Sequence, residues 1–221
     1  MKKHLLTLTL LALSVVVFNG CKDDEDTTAP VITLAGSNPY ELEMRTSYVE
    51  QGYTATDDED GDITASVVVD NEVIENLPGN YEIHYEVSDA AGNFSDVHRE
   101  VNVIATPAAL AATYSVVDSC GTGAALLVFN YGQSITVNSS TSIKFSKFAD
   151  YSNNSNITAT VNANGTITMA LQQATNIGSL NENHTFQGTG YVTANGIYLE
   201  YVDTNQSQGN AATTCKAYFT R

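Results

Sequence analysis

The 221-residue chain has no tryptophan, only three cysteines, and nine lysines and arginines against 25 aspartates and glutamates. Each shortage excludes something. A net charge of −16 repels phosphate, which argues against nucleic acid as a partner. There is no Gly-x-Ser-x-Gly elbow, no phosphate-binding glycine loop and no Cys–His pair, so no motif announces catalysis. Beyond the first 20 residues no segment keeps helical periodicity, while Thr, Ser, Asn, Val and Tyr abound. That composition favours strands.

What is there begins with a leader. Lys2 and Lys3 precede a mostly apolar run, Leu5 to Phe18, that ends at Gly20 and is followed by Cys21. This is the layout of a secretory signal peptide and is too short for a membrane span. Residues 1–20 are therefore expected to be removed. The junction resembles the lipobox of bacterial lipoproteins, with Phe18 and Asn19 where that family usually has Leu and a small residue. The acidic run Asp23-Asp24-Glu25-Asp26 resembles the surface-export signal of Bacteroides-group lipoproteins. The resemblance implies a lipidated Cys21, attachment to the outer membrane and exposure at the cell surface. Several acyl chains on one cysteine make a stable anchor, and residues 21–29 then form an acidic tether kept extended by repulsion. The other reading is an ordinary signal peptide with Cys21 a spare thiol.

With Cys21 assigned to the anchor, Cys120 and Cys215 remain as a pair, and in an exported protein an even remainder predicts a disulfide. Two free buried thiols are the alternative. Charge divides the rest of the chain. Residues 28–106 hold 16 acidic and 2 basic side chains, residues 107–221 only 5 and 4. The step falls at Thr106-Pro107, where Pro107 cannot donate a ladder hydrogen bond. It marks a domain boundary.

In the first domain, residues 30–105, Tyr81, Ile83, Tyr85 and Val87 alternate with polar residues between the turn signals Pro78-Gly79-Asn80 and Asp89-Ala90-Ala91-Gly92-Asn93. About seven short strands predict a β-sandwich. The segments Ala29-Pro30-Val31-Ile32-Thr33-Leu34, Gly52-Tyr53-Thr54-Ala55-Thr56-Asp57, Asp60-Gly61-Asp62-Ile63-Thr64 and Ser88-Asp89-Ala90-Ala91-Gly92-Asn93 resemble the bacterial immunoglobulin-like domain named for pesticidal crystal proteins. That resemblance implies an Ig-like spacer lacking the cysteine pair and core tryptophan of antibody domains. Asp57, Asp58, Asp60 and Asp62 crowd around Gly61 as candidate Ca²⁺ ligands. EF-hand spacing is absent, and a solvated acidic turn whose carboxylates cap their own backbone is the plainer reading.

The second domain, residues 107–221, offers eight or nine strand-like runs, with Asn164-Gly165 and Asn195-Gly196 as hairpin signals and Tyr131-Gly132 as a weaker turn. They predict an antiparallel meander closed as a small barrel, or folded as a sandwich, stapled through Cys120 and Cys215. Phe186-Gln187-Gly188-Thr189-Gly190 and Ile197-Tyr198-Leu199-Glu200-Tyr201 resemble the lipocalin-like C-terminal domains of Bacteroides lipoproteins. An all-β chain is the expectation throughout.

The functional expectation is binding without catalysis. His184 stands between Asn183 and Thr185 with no ligand at metal-binding spacing. Asp118, Asp150, Glu182, Glu200 and Asp203 are the domain's carboxylates, and chain order cannot say whether two face each other as a glycosidase requires. Tyr131, Tyr151, Tyr191, Tyr198 and Tyr201 are the candidate ligand-binding residues, flat rings with a polar tip; packing of the sheets would also explain them. By resemblance to lipoproteins that accompany starch-utilisation-type outer-membrane transporters, the ligand is expected to be a glycan and the partner a transporter complex. Adhesion to another envelope or host protein is the competing expectation, and a lipocalin-like carrier, needing an apolar cavity, is the third.

Overall fold

A computed structural model describes residues 25–121, 125–151 and 156–221; the expected leader and Cys21 lie outside them. Residues 31–104 form two facing sheets. One holds β1 (Val31–Leu34), β3 (Tyr53–Asp57) and β4 (Gly61–Asp62), the other β2 (Tyr40–Glu43), β7 (Phe94–Ile104), β6 (Gly79–Ser88) and β5 (Val68–Asn71) in that order. β2 runs parallel to β7 and the other pairs are antiparallel. The alternation in β6 works as expected, with Ile83, Tyr85 and Val87 buried against Ile32, Leu42, Ala55, Val101 and Val103. The inward position between Val97 and Val101 is Arg99, which is fully buried. Its guanidinium donates to the carbonyls of Ser37 (2.6 Å) and Ala35 (2.8 Å) and lies 3.5 Å from Glu50. A buried cation is tolerated only when paired and hydrogen-bonded, and here it ties the β1–β2 loop to the core.

A one-turn helix, α1 (Pro107–Leu110), follows the sandwich, capped by the Thr106 hydroxyl accepting from the Ala109 N–H. Pro at its first position removes a donor that would be orphaned anyway. The boundary read from charge thus falls at a capped turn. The second domain touches the first through short hairpins: the Ala105 N–H donates to Ala163 O (2.8 Å) and the Asn76 amide to Ala194 O (3.3 Å).

The second domain is a closed eight-strand antiparallel barrel of β8 (Ala112–Cys120), β9 (Leu127–Ser139), β10 (Ser142–Phe145), β11 (Ile157–Val161), β12 (Thr166–Ile177), β13 (Glu182–Thr193), β14 (Gly196–Asn205) and β15 (Ala211–Thr220), each paired with the next and β15 with β8. Cys120 and Cys215 are directly opposed across the closing seam and form the disulfide, with sequence separation 95. Two turn readings are corrected. Tyr131-Gly132 lies inside β9, where Tyr131 pairs with Val116, so two expected strands are one; alternation with β8 outweighs a single glycine. Asn195-Gly196 does not supply positive φ angles: the turn falls at Ala194-Asn195 and Gly196 starts β14. There a Cβ would stand 1.8 Å from Phe219 O, so the glycine serves a close strand approach. Gly165, at φ +82°, does take the left-handed turn position.

Phe145, Phe148, Phe186 and Phe219 fill the barrel, all at or below 1% exposure. Phe148 comes from the 3-10 turn Phe148–Asp150 and packs against Phe145, Phe186 and Tyr201 with ring centroids 4.8–5.3 Å apart. The carrier reading needs an apolar chamber in this space, which the four phenylalanines occupy.

Candidate functional site

The five nominated tyrosines divide between two places. Tyr191 and Tyr198 face outward on β13 and β14, directly opposite each other, and Tyr218 on β15 is the next partner of Tyr198. Their centroids are 5.1 and 4.9 Å apart, with planes tilted by 41° and 49°. Val117 on β8 continues the row. Tyr191 and Tyr218 are each 52% exposed. Period-two alternation explains the arrangement: Tyr198, Glu200 and Val202 share one face of β14, and Thr214, Lys216 and Tyr218 share that of β15. The second row of the same face is therefore Thr189, Glu200 and Lys216, with the Tyr198 hydroxyl donating to Glu200 Oε2 at 3.2 Å. Burial and the Glu200 charge push the Tyr198 phenol up, which keeps it a donor. A groove of about 670 Å³ adjoins this face, lined by Thr168, Leu171, Gln187, Glu200 and Val202 among others. Sequence reasoning missed Tyr218, although the alternation of Thr214–Thr220 puts it on the outward face.

Tyr131, Tyr151 and Tyr201 lie at the other place, the barrel mouth that holds the disulfide. Tyr201 (2.5 Å) and Tyr131 (3.2 Å) both donate to Asp118 Oδ2. Tyr151 donates to Asp203 Oδ2 at 3.1 Å, and His184 Nδ1 lies 2.6 Å from Asp203 Oδ1. Glu182 Oε2 is 3.6 Å from His184 Nε2. Chain spacing around His184 shows no ligand set, and strand pairing is what brings in Asp203, 19 residues away. Burial pushes the Asp118 and Asp203 carboxyls up, against hydrogen bonds that pull them down. Burial and these carboxylates push the Tyr131, Tyr151 and Tyr201 phenols up, so they stay protonated donors. A cavity of about 220 Å³ touches Asp118, Phe129, Asp150, Tyr151, Tyr201 and Asp203. Four of the domain's five carboxylates thus gather at one end. Asp118 and Asp203 each spend oxygens on tyrosine hydroxyls, and this network reads as structural cross-linking of strands far apart in sequence.

In the first domain Asp57 Oδ1 accepts the N–H groups of Glu59 and Asp60, both at 3.0 Å. Asp60 Oδ2 accepts from the Ala90 N–H at 2.6 Å and Asp62 Oδ1 from the Thr64 N–H at 3.0 Å. Asp57, Asp58, Asp60 and Asp62 therefore do not converge as one set; Asp57 and Asp58 instead approach Asp26.

Residues 32–103 match the family model described as bacterial surface protein, Ig-like domain. The match spans almost the whole sandwich, from β1 to β7, and points to the cell envelope. None of the curated proteins matches the chain. Among solved structures, a lipoprotein from Bacteroides thetaiotaomicron is similar at 19% identity and TM-score 0.37, covering 87% of this chain and 100% of that one. The CBM51-2 and INT domains of Clostridium perfringens ZmpB, solved with GlcNAc, are similar at 13% identity and TM-score 0.30, covering 86% of this chain and 44% of that one.

Proposed function

We propose that the protein is a non-catalytic, lipid-anchored protein of the outer cell surface that holds a glycan on the outward face of β13, β14 and β15. The Tyr191–Tyr198–Tyr218 row carries this reading. Exposed rings offer apolar faces to the C–H surface of a sugar, and the rim of Thr189, Glu200, Lys216 and Gln187 supplies donors and acceptors for its hydroxyls. The Ig-like domain serves as a spacer between the Cys21 anchor and this face, and the working partner is an outer-membrane nutrient transporter.

A glycan-array screen of the purified chain, followed by calorimetry on the class that binds, tests this. Tyr198→Ala combined with Tyr218→Ala is expected to weaken binding at least tenfold, about 1.4 kcal/mol. Tyr131→Phe, at the barrel mouth, is expected to leave it unchanged. A blank array, or binding that survives the double substitution, would overturn the glycan reading.

A protein partner is the second reading, favoured by the exposed run Leu126-Leu127-Val128-Phe129, at 50, 61, 55 and 41% exposure. β10 pairs only with β9 residues from Ile135 onward, so this end of β9 carries apolar side chains on a strand laddered to β8 alone among the described residues. Capture of an envelope protein that Val128→Lys abolishes, with a blank array, would move the function to this edge.

A further inference from the structure

The acidic turn between β3 and β4 gains a third carboxylate that its own sequence does not contain. One oxygen from each of Asp26, Asp57 and Asp58 lies within 4.8 Å of the other two. Each carboxylate has one oxygen held by the fold. Asp26 Oδ1 accepts the Thr28 N–H (2.9 Å), Asp57 Oδ1 accepts the Glu59 and Asp60 N–H groups, and Asp58 Oδ2 accepts the Thr28 hydroxyl (3.3 Å). Asp57 is only 9% exposed, yet its Oδ2 is buried without a hydrogen-bond partner. A buried, unpartnered carboxylate oxygen beside two further carboxylates, with no lysine, arginine or histidine paired to any of them among the described residues, is an unfavourable arrangement that a cation reverses. The approach of Asp26 is itself fixed, because the Asn93 amide donates both to the Asp26 carbonyl (3.2 Å) and to Asp89 Oδ2 (2.8 Å).

We propose that Asp26, Asp57 and Asp58 bind one Ca²⁺ ion where the tether enters the Ig-like domain. Three oxygen donors without nitrogen or sulfur select a hard cation. Mg²⁺ demands near-ideal octahedral geometry and gives up its water reluctantly, so an all-protein carboxylate set favours Ca²⁺. Three carboxylates gathered within 4.8 Å of one another on a chain entry and a loop suit Ca²⁺, which takes six to eight oxygens in flexible geometry, with water completing its shell. Asp26 lies five residues after Cys21, so the ion fastens the end of the acidic tether to the sandwich and fixes the direction in which the domain leaves it.

The test is calorimetric titration of the purified full chain with CaCl₂ and separately with MgCl₂, alongside thermal unfolding in calcium and in chelator. One Ca²⁺ is expected at a Kd of about 10⁻⁴–10⁻³ M, the range of extracellular modules, with Mg²⁺ at least tenfold weaker. Millimolar calcium is expected to raise the sandwich's midpoint by a few degrees. Asp26→Asn and Asp57→Asn each weaken binding at least tenfold, while Asp62→Asn does not. Should Asp57→Asn fail to fold, Asp26→Asn decides, since Asp26 lies outside the strands. No heat and no thermal shift, equal affinity for Mg²⁺, or binding that survives Asp26→Asn would each overturn the proposal.

Discussion

The two domains are both antiparallel in the main, yet they are held together differently. The Ig-like sandwich has no disulfide and organises its loops around a buried cation: Arg99, Glu50, Tyr48 and Tyr85 form one hydrogen-bonded group beneath the β1–β2 connection. The barrel is packed by phenylalanines, closed by a cystine and tied at one mouth by tyrosines donating to buried carboxylates. The acids buried in hydrogen-bonded networks behave oppositely in the two domains. Burial raises Glu50 and Asp89, but hydrogen bonds outweigh it and hold both below the usual range; bonds from Thr64 lower Asp62. In the barrel burial prevails at Asp118 and Asp203, which are raised, while a hydrogen bond from Gln208 lowers the more open Glu182. The difference teaches that the same residue type stabilises a fold as an anion where donors surround it, and as an acid where they are too few.

Removing the cystine should separate the domains most sharply. The double substitution Cys120→Ser and Cys215→Ser releases a closed loop of 95 residues and is expected to cost the barrel about 4–5 kcal/mol on the chain-entropy estimate. Scanning calorimetry should show the barrel transition move down while the sandwich transition stays; equal movement of both would mean that the domains unfold as one. Arg99→Met attacks the other side. It leaves the Ala35 and Ser37 carbonyls without their Arg99 donor and Glu50 without its cation, and should destabilise the sandwich by about 3 kcal/mol without moving the barrel transition.

The smallest effect is in pH. A group whose folded pKa is raised gives stability fully present below its unfolded value, about 4, and lost as pH rises through the folded value. A lowered group gives stability present above about 4 and lost as pH falls through its folded value. Acidification from neutrality should therefore weaken the sandwich through Glu50, Asp62 and Asp89, and relieve the barrel at Asp118 and Asp203. Asp118→Asn should flatten the barrel's dependence in urea melts taken across that range; an unchanged slope would assign it to other groups.

Much of the fold was legible. Strict alternation located β6, β11 and β15, the charge step at Thr106 lies between the last sandwich strand and the first barrel strand, and cysteine parity found the disulfide. Alternation separates Tyr198 from Tyr201, three residues on, yet both were candidates, because period two does not say which face looks outward. It failed where a long-range partner decides the outcome. Arg99 occupies an inward position that its charge disguised, and Gly132 looked like a turn because its pairing with Ser115 is invisible in one dimension. The grouping of His184 with Asp203 depends on register across β13 and β14.

The sequence by itself determined an all-β chain, the cystine, and Tyr191 and Tyr198 as candidate binding residues, since composition, parity and residue type are read without the fold. Only the tertiary structure decided that Tyr218 completes their row, that Tyr131, Tyr151 and Tyr201 turn instead to Asp118 and Asp203, and that Asp26 meets Asp57 and Asp58. Those neighbours come from strand register and chain closure, which bring together residues that no local pattern connects.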